Sequence, residues 1–417
     1  MTRVILGDIA ISQTGPFGSQ LHEEDYVSEG TPIVTVEHLG DTNFTHQNLP
    51  FVSEADTKRL SKYILIEGDI VFSRVGSIDR NVYVDKNHEG WMFSGRCIRV
   101  RADKNKVNPR YLSYYFKQNS FKKMMMNLAV GATMPSLNTK IMNSIELDLL
   151  PRENQDKIAN ILSAIDDKIQ INNQINQELE IMAKTLYDYW FVQFDFPDQN
   201  GNPYKSSGGK MVYNQDLKRE IPEGWGVEDL KDFESKIITG KTPSRANSDN
   251  FGGEIPFITI GDIRGNTFIY RTSESLTDLG ANVQQNKYLP EGSLCVSCIA
   301  TVGEIGFTTE WSHTNQQINS IVFEDETNRY YLYFVLKNYF ENANASAKTG
   351  NTFANMNKED FSGIRIILPS EEIKKNFHEI SEPYFAQIKC LQGQNQELIQ
   401  LRDWFLPMLM NGQVKVE

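Results

Sequence analysis

The strongest constraint on the fold is that the chain repeats itself. The segment NQELEIMAKTLYDYWF begins at Asn176, and NQELIQLRDWFLP begins 219 residues later at Asn395. Upstream, TPIVTVEHLGDTNF from Thr31 parallels EIPFITIGDIRGNTF from Glu254, with a displacement of about 224 residues. A period of this length is too long for a solenoid, so it predicts a duplicated domain with small loop insertions.

Each copy has the same internal order. Glycine-broken runs that alternate β-branched or aromatic residues with small polar ones, such as EGDIVFSRVGSIDRNVYV and EGSLCVSCIATVGEIGF, predict short strands of a twisted sheet. A short helical segment follows, then a strand-like run that ends at Pro151 or Pro369, and finally a long helical pattern. The predicted fold class is α+β, with two globular domains of mainly β character.

The long helical patterns carry apolar residues at 3,4 spacing, which is typical of a coiled-coil seam. In the first copy the seam positions are Ile158, Leu162, Ile165, Ile169, Leu179, Leu186 and Trp190; in the second they are Phe377, Ile380, Tyr384, Ile388, Leu391, Leu398 and Phe405. The first helix is about 39 residues long, or ~58 Å. A helix that long needs a partner, and the other copy is the obvious one.

These patterns predict five segments. They are a first domain (1–150), a first long helix (151–194), a linker rich in Gly, Pro, Ser and Asn (195–224), a second domain (225–370), and a second long helix with a C-terminal tail (371–417).

Asparagines interrupt the apolar seams. Asn176 and Asn395 occupy equivalent positions in the two copies, and Asn172 is a further polar seam residue. Two interpretations stay open: the seam is partly exposed there, or the asparagines specify one register, because a buried Asn destabilises mispaired helices.

Bulk properties limit the class of protein. Four scattered cysteines and the lack of a long apolar run or signal peptide predict a soluble, cytoplasmic protein with free thiols and no membrane association. The net charge of -12 argues against purely electrostatic binding to nucleic acid. That charge is unevenly distributed, since residues 1–150 hold 17 basic and 17 acidic side chains, whereas residues 225–370 hold 12 and 18.

Several motifs suggest chemistry but fit structural roles better. NPRY (108–111) resembles the Asn-Pro-Pro-Tyr loop of amino-methyltransferases, yet its counterpart TNRY (327–330) lacks the proline, so both predict a helix start with Asn as N-cap. GKT (240–242) lacks the upstream glycine of a P-loop, and CVSC (295–298) predicts two buried thiols. The six histidines show no metal-site spacing. We therefore predict no catalytic residue, no metal site and no cofactor on this chain.

Polar and basic residues recur at matching turns in both copies. Glycine lets backbone approach a groove, Arg and Lys pair with phosphate or guanine, and Asn and Gln can pair with adenine, so these turns predict a nucleic-acid-binding face. The candidates are, in the first copy, Phe17, Ser19, Gln20, Ser73, Arg74, Ser77, Arg80, Ser94, Arg96, Thr133 and Ser136, and in the second Lys241, Thr242, Arg245, Arg264, Ser297, Thr301, Asn315, Gln316, Gln317, Asn351 and Thr352.

Over nearly its full length the chain resembles the specificity subunit of type I restriction-modification enzymes. The resemblance is carried by GPFGSQLHEEDY, GDIVFSR, CVSCIATVGEIGF, NQQI, IPEGWGV, the paired helix starts LLPRENQDKIANILSAIDDKI and ILPSEEIKKNFHEI, and LRDWFLPMLMNGQV. It implies that each globular domain is a target recognition domain for one half of a split, asymmetric site in double-stranded DNA. It also implies that the two helices pair antiparallel as a spacer between the half-sites.

The same resemblance implies that partners perform the chemistry. Two methyltransferase subunits would bring S-adenosylmethionine and adenine methylation, and restriction subunits would bring ATP- and Mg²⁺-dependent translocation and cleavage of foreign DNA. Two alternatives remain: a self-sufficient DNA methyltransferase or nuclease, which would need a cofactor motif, and a coiled-coil interaction protein without DNA function, which the acidic balance favours.

Overall fold

The computed structural model describes residues 1–18, 20–129, 136–347 and 355–414; of residues 344–347 it describes the backbone only. The chain forms two compact units, and the division between them falls within the long helices. Unit 1 comprises Met1–Ile169 and Leu398–Glu417, and unit 2 comprises Gln170–Glu397. No helix in the described ranges is long and apolar enough to cross a membrane.

The globular part of unit 1 is built on two four-stranded sheets. One has the order β2-β9-β6-β7, the other β3-β5-β4-β8, and β1 pairs separately with β10. The elements are β1 Thr2–Ile5, α1 Leu6–Ile9, β2 Ala10–Thr14, β3 Tyr26–Val27, β4 Thr31–Val34, β5 Phe51–Val52, α2 Glu54–Arg59, β6 Asp69–Ser73, β7 Asn81–Tyr83, β8 Met92–Phe93, β9 Cys97–Ala102, α3 Pro109–Lys117, α4 Asn119–Leu128, α5 Thr139–Asn143 and β10 Glu146–Leu149.

Unit 2 repeats this plan with one additional strand in its larger sheet. Its sheets have the orders β14-β21-β18-β19-β16 and β17-β15-β20, and two further pairs are β11-β12 and β13-β22. The elements are β11 Met211–Asn214, β12 Arg219–Pro222, β13 Gly226–Asp229, α7 Leu230–Phe233, β14 Ile237–Thr239, β15 Phe251–Ile258, α8 Ile260–Ile263, β16 Phe268–Ile269, β17 Glu274–Leu276, α9 Asp278–Asn282, β18 Leu294–Ser297, β19 Ile305–Thr308, β20 His313–Thr314, β21 Ile318–Ile321, α10 Arg329–Ala347, α11 Lys358–Ser362 and β22 Arg365–Leu368.

Equivalent strands pair in equivalent ways, which confirms the duplicated domain. The antiparallel pair β1·β10 corresponds to β13·β22, and β2-β9-β6-β7 corresponds to β14-β21-β18-β19. Even the parallel pair β4·β8 has its counterpart in β15·β20.

The segment predicted as a linker is more ordered than its composition suggests. β11 and β12 form a hairpin, and the ring of Phe196 stacks on Tyr204 and Trp225 at centroid distances of 4.7 and 4.9 Å. The predicted linker therefore contains a β-hairpin and the buried ring of Phe196 in addition to loops.

Both long helices form. The first, α6, spans Arg152–Tyr187 and ends in a π-helical turn, Asp188–Val192, and the second, α12, spans Glu371–Met410. Most predicted seam positions are buried or half-buried, but Ile380 is 43% exposed and the fully buried Ser381 takes its place. The seam prediction failed at this position because the buried stripe of α12 continues through Phe377, Ser381 and Phe385 at intervals of four residues.

The helices run antiparallel where they meet within each unit. In unit 2, Asn172 near the start of the segment bonds to Asn395, while Trp190 at its end lies 6.0 Å from the ring of Phe377. In unit 1, the Arg402 guanidinium donates to the Asp166 carboxylate at 2.9 Å.

A buried asparagine network lies on the seam of unit 2. Asn172 Nδ2 donates to Asn395 Oδ1 at 2.8 Å, and Asn395 Nδ2 donates to Asn173 Oδ1 at 2.8 Å. Asn176 is also buried, yet its Oδ1 accepts no hydrogen bond from a described protein group. The partner of Asn395 is thus Asn172 and not Asn176, its equivalent in the repeat. Antiparallel helices place equivalent repeat positions at different levels, so the shared NQEL motif could not identify the pair.

We predict that the Asn395→Leu substitution lowers the urea midpoint of unfolding, by an amount equivalent to about 1–3 kcal/mol, because it leaves the Asn172 amide buried and unpaired. Circular dichroism at 222 nm measures the transition. The matched control is Gln394→Leu, which changes an exposed neighbour on the same helix. The double variant Asn172→Leu/Asn395→Leu should regain much of the loss. Equal midpoints for Asn395→Leu and Gln394→Leu would contradict a stabilising role for the network.

Candidate nucleic-acid interface

In unit 1 the glycine-rich loop after β2 packs directly on the turn between β8 and β9. A Cβ atom at Gly15 would lie 2.1 Å from the carbonyl oxygen of Ser94, and one at Gly95 would lie 2.3 Å from that of Pro16. Only glycine allows two backbones to approach this closely. Gly15 and Gly95 therefore allow the loop after β2 and the turn between β8 and β9 to form one surface.

Arg74 connects that surface to the turn after β6. Its Nη1 donates to the carbonyl oxygen of Gly95 at 3.0 Å, and its guanidinium lies 5.5 Å from the ring centre of Phe17, which is 51% exposed. The backbone carbonyl of Arg74 also accepts from Leu137, next to the bridge between Val75 and Ser136. The structure thus brings together Phe17, Arg74 and Ser136 as predicted.

Two arginines of this surface are exposed and carry no carboxylate partner. Among the described residues, neither Arg80 nor Arg96 forms an ion pair, and Ser77 is exposed beside them on the same turn as Arg80. Exposed guanidinium groups without partners are available to a phosphate or to the edge of a guanine.

Helix α4 adds a basic surface that sequence reasoning missed. Lys122, Lys123 and Asn127 line a cavity together with Asp79, which precedes Arg80. These residues lie on helix α4, whereas the DNA contacts predicted from the sequence lie on turns.

Several residues that were predicted to contact DNA are buried or form hydrogen bonds within the protein. Ser73, Ser94 and Ser297 are buried, and the Ser297 hydroxyl donates to the Thr301 carbonyl at 2.6 Å while accepting from the Glu304 amide at 2.9 Å. Ser73 Oγ similarly donates to the Val75 carbonyl. These serines hold the turns, so we no longer expect them to contact DNA.

Gln20 is likewise engaged, since its Oε1 accepts from the Tyr63 hydroxyl at 2.8 Å. Ser19, Thr133, Asn351 and Thr352 lie outside the described residues.

Unit 2 builds the equivalent surface from different side chains. A Cβ atom at Gly240 would lie 2.1 Å from the carbonyl oxygen of Asn315, so the same backbone contact recurs. Thr242 Oγ1 donates to Gln316 Oε1 at 2.6 Å. Asn315 Oδ1 accepts from the Gln317 amide at 3.0 Å, which closes the turn. Lys241 is exposed beside them. The amide-rich turn NQQ thus stands where unit 1 has Ser94–Arg96.

The two candidate arginines of unit 2, Arg245 and Arg264, form ion pairs within the protein. Arg245 donates to both oxygens of the Glu274 carboxylate at 2.9 and 2.8 Å, and Arg264 contacts Glu304 at 3.2 Å and the Thr301 hydroxyl at 3.2 Å. The hydrogen bonds from Arg245 hold the pKa of Glu274 below its ordinary value, and the same pair raises the pKa of Arg245. DNA phosphates must therefore compete with carboxylates here, in contrast to Arg80 and Arg96 in unit 1.

The motifs interpreted as structural have structural roles. Asn108 caps helix α3 by accepting from the Tyr111 amide at 3.0 Å, and its Nδ2 donates to Asp156 at 2.7 Å. Cys295 and Cys298 are buried free thiols, and burial raises their pKa values to about 12 and about 11.

Comparison with known proteins agrees with this duplicated arrangement. The family model described as the type I restriction modification DNA specificity domain matches residues 2–181 and again residues 222–400. The chain is 32% identical to the type I restriction enzyme HindI specificity subunit of Haemophilus influenzae, over 92% of this chain and 95% of that relative. It is 27% identical to the MjaIX specificity subunit of Methanocaldococcus jannaschii, over 94% and 89% of the two chains.

A solved structure shares the fold. The S subunit of a type-I restriction-modification system from M. genitalium superposes with a TM-score of 0.56 at 12% identity, covering 100% of this chain and 96% of that one. The resemblance expected from the sequence is thus confirmed. Since the family model matches the chain twice and spans most of it, the chain belongs to the type I restriction-modification DNA specificity family: it is a specificity subunit, which recognises a DNA sequence while partner subunits carry out catalysis.

Proposed function

We propose that each unit reads one half of a bipartite, asymmetric DNA sequence through the surface formed by its glycine-packed turns. The observation that carries this proposal is that the same backbone contact is built twice, at Gly15 and Gly240, while the side chains around it differ. A shared scaffold with different side chains is what two half-sites of unlike sequence require, because phosphate contacts fix position and base contacts specify sequence.

The side chains suggest different chemistry for the two half-sites. In unit 1, Arg80 and Arg96 form no ion pair with a described residue and are suited to phosphate or to guanine O6 and N7, with Lys122 and Lys123 alongside. In unit 2, the side chains of Asn315, Gln316 and Gln317 hydrogen-bond to Thr242 and to one another, and their remaining donor and acceptor positions are suited to adenine. The exposed Lys241 offers a phosphate contact. We propose that partner subunits supply further phosphate neutralisation, since the chain itself is acidic.

Exposed apolar residues on the long helices are suited to binding partner subunits. In unit 2, Ile171, Ile175 and Met182 are 50%, 39% and 50% exposed and follow one face of α6 at helical spacing. We propose that this apolar stripe binds a methyltransferase subunit and that the equivalent surface of the other copy binds a second one. The paired helices would then set the gap between the half-sites.

We propose that partner subunits bind all the cofactors. The methyltransferase subunits would bind S-adenosylmethionine for adenine methylation, and restriction subunits would bind ATP and Mg²⁺, all acting on double-stranded DNA in the cytoplasm. No cofactor is proposed for this chain.

We predict that Arg96→Ala lowers methylation of the cognate site about tenfold or more, because one guanine or phosphate contact corresponds to about 1–3 kcal/mol. The assay measures methyl transfer by the complex reconstituted with its methyltransferase subunit. The control is Arg3→Ala, an exposed arginine of the same unit that is paired with Glu146 and Asp148. A base contact relaxes sequence preference at one position, whereas a phosphate contact weakens all sequences and reduces the salt dependence. Equal activity of the two variants would exclude Arg96 from the interface.

Replacing residues 225–370 with the corresponding module of a relative should change one half-site and leave the other intact. Single-molecule mapping of methylated adenines in the host genome measures both halves at once. We expect a split motif with a constant gap. A continuous short palindrome would contradict the two-half-site proposal, and no sequence preference by the assembled complex would favour an interaction protein without DNA function. Binding of S-adenosylmethionine by the isolated chain would favour a self-sufficient methyltransferase.

Ile175→Asp should weaken copurification with the methyltransferase subunit, because a charge on the apolar stripe disfavours burial. The control Gln177→Asp introduces the same charge at an exposed position of the same helix, and helical spacing places that position outside the stripe. Size-exclusion chromatography of the mixed subunits reports the complex. Equal complex formation by both variants would show that the partner binds elsewhere.

A further inference from the structure

Two histidines that are distant in sequence meet in unit 1. His46, in the connection between β4 and β5, and His88, in the connection between β7 and β8, are 42 residues apart. Their Nε2 atoms lie 3.2 Å from each other, and their rings are nearly perpendicular at 89°. Neither the DNA-binding surface nor the helix seam uses this pair.

A carboxylate orients the inner ring. Asp85 Oδ1 lies 2.5 Å from His88 Nδ1 and also accepts from the backbone amides of Asn87 and His88 at 2.9 and 3.2 Å. The carboxylate therefore holds the His88 proton on Nδ1. That tautomer leaves His88 Nε2 unprotonated, so that it can accept a hydrogen bond from His46 Nε2 or bind a metal ion, as in the carboxylate–histidine pairs that support metal ions.

Aromatic side chains pack against both imidazole rings. The ring of Trp91 lies 4.6 Å from His88 and 5.2 Å from His46, and Phe44 lies 5.1 Å from His88. His88 is 6% exposed, whereas His46 is exposed, so the pair is open to solvent on one side only.

The separation of the nitrogens matches two positions of one coordination sphere. Two imidazole nitrogens that each lie about 2.0–2.1 Å from a tetrahedral ion are ~3.3 Å apart. Among the described residues no cluster of three or more His, Cys, Asp or Glu side chains could hold a metal, so water would supply the remaining ligands. Neutral imidazole suits zinc, nickel and copper.

We propose that His46 Nε2 and His88 Nε2 form a binding site for a divalent first-row transition ion, with Zn²⁺ as the ion that fits best. Asp85 is the positioning residue that orients His88. A bound ion would join the β4–β5 connection to the β7–β8 connection. These connections flank β4 and β8, the parallel pair of the sheet whose last strand leads into the turn at Ser94. The ion would thereby stiffen the sheet that supports the turns of unit 1.

The test uses the full chain after chelation, titrated with Zn²⁺ by isothermal calorimetry. We expect one site, and we expect His46→Gln to weaken it by about tenfold or more, because one of two protein ligands is lost. His46 is exposed, so the variant should fold normally. The control His22→Gln changes another exposed histidine of unit 1 and should bind like the wild type.

A second variant and a local signal separate the site from unspecific binding. Asp85→Asn should weaken Zn²⁺ binding about 10–100-fold, as expected for a residue that orients a ligand. Cu²⁺ should quench the fluorescence of Trp91, and Trp91→Phe should remove that quenched component. Absence of a wild-type site, or equal Zn²⁺ binding by the wild type and His46→Gln, would overturn the proposal and leave the histidines as a hydrogen-bonded pair.

Discussion

Packing of the two long helices against each other is the interaction on which both cores depend. The core of unit 1 contains Ile158 and Leu162 from α6 together with Leu409 and Met410 from α12. The core of unit 2 likewise contains residues of both helices, because Tyr187 packs with Phe377 and Phe385. Neither copy of the repeat can complete its core with its own helix alone. An antiparallel pair satisfies this requirement, since each end of one helix then meets the opposite end of the other.

Polar contacts specify the register of that packing. A purely apolar seam tolerates slippage by a turn, whereas the bonds from Asn395 to Asn172 and Asn173 exist at one alignment. The bridge between Arg402 and Asp166 provides a second such contact in unit 1, where the Tyr114 hydroxyl also donates to Asp166 at 2.6 Å. If the helices set the gap between two half-sites, as we propose, that role requires this precision.

Sequence patterns predicted most of the fold and part of the interface. The repeat, the two long helices and the cap at Asn108 all follow from local residue types and spacing, whereas the contacts that bring Phe17, Arg74 and Ser136 together are long-range. The expectation of a free side chain failed where a hydrogen bond or ion pair within the protein engages the group, at short range for the serines and at long range for the arginines. Ser73 and Ser297 look like exposed turn residues, yet their hydroxyls close the turns, and Arg245 and Arg264 look like free cations, yet carboxylates neutralise them. The basic face of α4 was missed because it lies on a helix rather than on a turn.

By itself the sequence determined that this protein has two related domains, two long helices and no recognisable catalytic motif, because periodicity, capping and repetition are local properties of a chain. Only the tertiary structure decided which asparagine faces Asn395, which arginines remain free, and that His46 meets His88. Those outcomes depend on distances between residues far apart in sequence, which are set by how strands and helices pack and which no spacing along the chain encodes.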